Sequence, residues 1–364
     1  MKFTVRAAVV AALALVSAAA IGAPSPGKKK LIEFGWDEPD ARFMRDHIAQ
    51  LQASPFDGCV FHVNYRTFKG AERNFSWDVW GRARIAPTQL DSARVNLAAT
   101  HFGRFRENFL RVNVTPGDLD WFEDYGAVMN NLELAARLAK AGGCPGILLD
   151  TEAYKGPLWD FRAQTKQHPH AWDELSAQVH KRGGEAMAAL ERGYPGLTVF
   201  LSMAYSMPLD ETKAAKRPLP DTRYGLLVPF VDGMIAAASD SAVIVDGHEG
   251  TYPYRDPAAF AARADTARHA ARRLMAQPDR AARLLSVGFG LWLDYDSERL
   301  GWHADHPESN YFTPTGFANS LQAALDHADR YVWIYCQKPR WWTAEGGTQM
   351  VPAAYDSVLR VVRR

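Results

Sequence analysis

Eight short apolar runs rich in β-branched and aromatic residues punctuate this chain, and longer stretches of helical spacing lie between them. The runs are LIEFG (31–35), GCVFHV (58–63), NFLRVN (108–113), GILLDTE (146–152), TVFLSMA (198–204), a sixth at FVDGMIAA (230–237) or AVIVDG (242–247), LLSVGFGLWL (284–293) and YVWIYC (331–336). That alternation is the signature of parallel strands joined by crossover helices. In NNLELAARLAKAGG (130–143), Leu132, Ala135, Ala136 and Ala139 mark one buried helical face, and Gly142 and Gly143 supply its stop. The tract AAFAARADTARHAARRLMAQ (258–277) has the same spacing. Eight such units most simply close into one (β/α)8 TIM barrel of the α/β class over residues 31–364, with an open doubly wound sheet as the alternative.

The N-terminal 23 residues have a different character. Lys2 and Arg6 precede an apolar run from Ala7 to Ile21, with small residues at Ala20 and Ala23. This is the layout of a cleaved secretory signal peptide, and the run is shorter than the roughly 20 residues a spanning helix needs. A short linker (24–30) follows, so the expected mature protein is secreted or periplasmic, free of the membrane and monomeric. Lys and Arg total 42 against 41 Asp and Glu, so no global field recruits nucleic acid or an anionic membrane. Cys59, Cys144 and Cys336 fall inside or just before apolar segments and read as buried small residues rather than a disulfide framework. No CxxC pair occurs and no GxGxxG follows the first run, so neither a metal nor another cofactor is expected.

A barrel of this kind carries its active site at the C-terminal ends of the strands. The residues closing the apolar runs are therefore the candidates. They include Trp36 and Asp37 after the first run, His62 and Tyr65 after the second, and Arg111 and Asn113 in the third. Asp150, Glu152 and Tyr154 close the fourth and Tyr205 the fifth; Asp246 and Glu249 follow the sixth, Trp292 and Asp294 the seventh, and Tyr335 lies in the eighth. Carboxylates mixed with aromatics suit a saccharide, whose C–H faces stack on Trp and Tyr while its hydroxyls need polar partners. Breaking a glycosidic bond needs one protonated carboxyl and a second anionic group. Asp150 and Glu152 alternate along one strand, so each lies in the other's field and one should hold its proton more tightly.

GILLDTE resembles the fourth-strand signature of the chitinase-like glycoside hydrolases of family eighteen, which ends in Asp-x-Glu. The resemblance implies that Glu152 is the general acid and that Asp150 orients a substrate N-acetyl group acting as internal nucleophile. Met203-Ala204-Tyr205 looks like that family's Met-x-Tyr, and Trp333 like its barrel-floor tryptophan. Leu148 stands at the signature's earlier acidic position and Ser206 where Asp is usual. A second carboxylate from another strand end is therefore also sought, in Asp246 or Glu249, which Gly247 and Gly250 could aim inward. The expected function is hydrolysis of an oligo- or polysaccharide. The alternatives are a barrel that binds carbohydrate without cleaving it, and a metal-dependent hydrolase built on Asp37, His62, Asp150, Glu152 and His248.

Overall fold

The computed structural model describes residues 29–342 and 349–363, so the expected signal peptide lies outside the described residues. Strands β1 (Lys30–Gly35), β2 (Gly58–Phe61), β3 (Phe109–Asn113), β4 (Gly146–Asp150), β5 (Thr198–Leu201) and β6 (Val243–Asp246) pair in parallel, each with the next. Strand β7 has two segments, Leu285–Val287 and Phe289–Trp292, and β8 is Tyr331–Cys336. The first segment of β7 pairs with β6, the second with β8, and β8 with β1. The two ends of the hydrogen-bonded sheet are thus adjoining halves of one strand, and Gly288 between them closes the ring. Its N–H donates to the Asp246 carbonyl at 2.9 Å. A Cβ there would lie 3.0 Å from Val245 Cγ1 and 3.2 Å from the Tyr331 carbonyl, so the bend packs tightly against both neighbouring strands. The α/β TIM-barrel architecture expected from the alternating runs is the one the chain adopts.

The sixth strand is AVIVDG. FVDGMIAA instead lies in the helix Leu227–Ala237, packed on the long helix Trp172–Gly193. A short run of Phe, Val and Ile reads as a buried strand or a buried helix by periodicity alone. What selects the helix is tertiary: a Cβ on Gly233 would sit 1.9 Å from the His180 carbonyl, so the two backbones meet at a distance only glycine allows. The helix over 130–143 spans Gly126–Ala141 and stops as expected, with Gly143 at φ +65°.

Strand side chains divide between two cores. Ile32, Phe34, Val60, Phe109, Leu148, Phe200, Val245, Tyr331 and Trp333 fill the barrel interior. The opposite faces, such as Leu31 and Cys59, pack under the surrounding helices. Glu33 is also fully buried, and neither carboxyl oxygen has a hydrogen-bond partner among the described residues. Burial, with the nearby Asp37 and Glu38, pushes its carboxyl well above the usual range. All three cysteines are free and buried. Among the described residues no helix is long and apolar enough to cross a membrane.

Two glycine substitutions separate close approach from propensity. Gly233→Ala is expected to cost about 1–3 kcal/mol of stability by overpacking. At Gly184, where a Cβ meets nothing nearer than 3.5 Å, alanine is expected to be neutral or to stabilise by up to about 1 kcal/mol. Urea titrations of both variants check this.

Candidate active site

The barrel interior is plugged by Trp333, whose indole N–H donates to the Gly247 carbonyl at 2.8 Å, with Phe34 packed beside it at 5.5 Å. At the C-terminal strand ends a cleft of ≈ 310 Å³ opens, lined by residues from β1 and β3 through β8, their loops and the connection after β2. Trp77 and Tyr154 pack together on one side of it, and Tyr252, Trp292 and Tyr335 on another. Trp36 stands at the mouth, 63% exposed, a free indole face where a soluble protein ordinarily buries one.

Arg111 organises the polar part. Strand alternation turns it inward from β3, where one guanidinium nitrogen donates to Glu38 Oε2 at 2.9 Å and another to Asp150 Oδ2 at 2.8 Å. Its planar head also lies 5.0 Å from the Phe34 ring and 5.3 Å from Trp77. Asp150 accepts from Tyr154 Oη at 2.8 Å, Ser202 Oγ at 3.2 Å and the Glu152 backbone N–H at 3.2 Å as well. A carboxylate with that many donors is anchored, and moving it breaks a buried ion pair.

The two other lining carboxyls are differently placed. Glu152 is half-buried, and burial together with the Asp150 charge raises its carboxyl above the usual range. Glu249 is also half-buried; burial, then Asp150, then Glu152 push it well above that range. Its position comes from the turn after β6. Gly247 leads into His248, which holds left-handed φ 46° and ψ 57°, and the turn Glu249–Thr251 follows. His248 offsets that strain through contacts of Nδ1 with the carbonyls of Asp246 at 2.9 Å and Gly288 at 3.1 Å.

Of the sequence candidates, Trp36, Arg111, Asp150, Glu152, Tyr154, Glu249, Trp292 and Tyr335 line the cleft together. The rest do not, each for a local reason. Asp246 accepts from the backbone N–H groups of Ala204, Ser206 and His248 and from Ser206 Oγ, so it fastens the loops after β5 and β6. Asp37 accepts from the backbone N–H groups of Trp341 and Trp342 at 2.5 and 2.7 Å. Tyr65 belongs to a hairpin of Asn64–Arg66 and Glu72–Asn74, and its hydroxyl bonds Asp78. The Tyr205 hydroxyl donates to Asp232 at 2.6 Å, away from the cleft, so the Met-x-Tyr likeness does not bring that tyrosine to the site. Asn113 is fully buried beside Asp150 in register, its amide without a hydrogen-bond partner among the described residues. His62 lies behind the site, its Nδ1 3.5 Å from Glu38 Oε1. Asp294 accepts the Trp292 indole N–H at 2.8 Å and so sets that ring's orientation.

The strand-end rule did not single out Trp77 or Ser202. Ser202 sits within a run already identified, and Tyr252 is reached just beyond the sixth, in VIVDGHEGTY, but Trp77 comes from a turn beyond the hairpin after β2, a position no strand pattern marks. The five groups of the metal-hydrolase alternative are dispersed, and among the described residues no cluster of three His, Cys, Asp or Glu could hold a metal ion. No protein-family model matches the chain, and a search of curated proteins finds no match.

The buried charges behind the cleft carry two expectations. Arg111→Met leaves Glu38 and Asp150 uncompensated and is expected to cost about 3–5 kcal/mol in denaturant unfolding. Burial raises the Glu38 carboxyl, but Arg111 and His62 more than reverse this and hold it low; burial lowers the His62 imidazole, and Glu38 more than reverses that and raises it. A raised histidine contributes stability below its unfolded pKa and loses it as pH climbs through the folded value. The stability gap between the parent and His62→Gln should therefore be widest below the ordinary imidazole range and shrink as pH rises through the raised folded value. A gap that grows with pH contradicts the pairing.

Proposed function

We propose that this protein is a glycoside hydrolase acting through Glu249 and Glu152. The observation that carries the reading is that these two half-buried carboxyls line one aromatic cleft at the C-terminal barrel face, where burial and the Asp150 charge raise both and Glu152 adds to the rise of Glu249. Glu249, the more strongly raised, donates its proton to the leaving glycosidic oxygen as the C1–O bond breaks. Glu152, as carboxylate, supports the positive charge developing at C1. Water then adds to C1, and its proton passes to the Glu249 carboxylate, restoring the starting state.

Asp150 serves as a positioning group, because its bonds to Arg111, Tyr154 and Ser202 fix it in place. That anchoring favours a two-carboxyl route over the substrate-assisted one implied by the family-eighteen resemblance, and it moves the acid role from Glu152 to Glu249. The rings of Trp36, Trp292 and Tyr335 offer faces for the sugar's C–H surfaces.

Leaving-group dependence tests the assignment. With unactivated glycans, Glu249→Gln and Glu152→Gln are each expected to lose roughly 10²–10⁴ in turnover, the scale of a lost acid or base. With aryl glycosides whose phenol leaves without protonation, Glu249→Gln should recover most of the loss while Glu152→Gln does not. The alkaline limb of the parent's pH–rate profile should lie above the ordinary carboxyl range and disappear in Glu249→Gln. Undiminished turnover in both variants sinks the reading.

A further inference from the structure

We propose that the sugar held in this cleft bears a free, protonated amino group, so that the substrate is a hexosamine glycan lacking N-acetyl groups. This rests on the glycosidase reading and follows from a count of charges and donors. The charged residues lining the cleft are Asp150, Glu152, Glu249 and Arg111. The one cation among them is already paired with Glu38 and Asp150. An acidic glycan would meet three lining carboxyls against that one paired cation in a half-buried site.

Two of the lining donors are committed as well: Ser202 Oγ donates to Asp150, and the Trp292 indole N–H to Asp294. An acetamido carbonyl placed against either finds it occupied. An ammonium needs acceptors instead. Glu152 supplies them as a carboxylate beside the Tyr154 phenol, and the protonated Glu249, beside Tyr252, adds its carbonyl oxygen; Arg111 acts on both and Arg223 on Glu152 without reversing the rise that burial and Asp150 impose. A bound cation would offset the burial and the Asp150 charge that Glu152 bears.

The aromatic walls point the same way. Trp and Tyr faces attract an ammonium through the ring quadrupole, most strongly where water is excluded. At the rim the protein's own chain supplies an instance: Lys155 Nζ lies 5.7 Å from the centroid of Trp77, a ring that lines the cleft. Chemistry adds a reason. A cationic substituent on the ring opposes positive charge forming at C1, and a site that cleaves such a sugar needs more than one anion close by.

The test is a panel of hexosamine oligosaccharides of several linkages, each prepared as the free amine and as its N-acetylated twin, alongside neutral and uronic-acid glycans. Reducing ends report hydrolysis and calorimetry reports binding. The expected result is kcat/KM at least about 30-fold higher for the amine form of the preferred linkage, the equivalent of about 2 kcal/mol for a desolvated cation on aromatic faces. Equal or better cleavage of acetylated, neutral or acidic glycans overturns the amino-sugar inference and leaves the hydrolase standing. Selective binding of the amine forms by the parent protein without turnover supports the inference and removes the hydrolase. Neither binding nor cleavage of any member overturns both.

Discussion

One guanidinium governs the interior of this barrel mouth. Arg111 lies between Glu38 and Asp150, nearly out of contact with water, and its fork satisfies one oxygen of each. Two carboxylates in so little solvent repel strongly unless a cation separates them. The consequence reaches beyond stability. By anchoring Asp150, Arg111 settles which acids are held in place and which, Glu152 and Glu249, keep the freedom to gain and lose a proton.

The loop after β6 shows how a short motif divides its labour. In VIVDGHEGTY, Asp246 collects backbone N–H groups from the β5 loop, His248 adopts a left-handed turn, and Glu249 is delivered to the cleft. Acids three residues apart in sequence thus have opposite environments. One is saturated by donors that hold the scaffold, and the other faces a cavity whose one lining cation, Arg111, is already paired with Glu38 and Asp150. The aromatic residues follow a similar logic, with Trp333 closing the interior below while Tyr252 and Tyr335 stack at the cleft above it.

Much of this was legible before any coordinates. The eight apolar runs located the barrel strands, and reading the residues just past them found Arg111, Asp150, Glu152, Tyr154, Glu249, Trp292 and Tyr335. The failures share a cause. FVDGMIAA carries strand-like side chains, yet Gly233 lets its helix press against a neighbour, a fact invisible without knowing what lies opposite. Tyr205 and Asp294 sit at strand ends as expected, but Asp232 and the Trp292 indole claim their polar atoms first. Trp77 enters the cleft from an insertion whose path depends on packing against the loop after β3, where Thr115 Oγ1 holds its carbonyl.

The amino-acid order alone determined the class of fold, because hydrophobic spacing is a local property that repeats whatever the surroundings. It also determined which polar residues stand at strand ends. Only the folded chain decided which of those residues meet the same space and which are bonded away, because proximity across a closed ring joins groups from distant parts of the chain. Arg111 and Glu38, 73 positions apart, lie within 2.9 Å of each other. The ionisation of a carboxyl depends on such neighbours and on how much water remains, and neither is written in any single stretch of the chain.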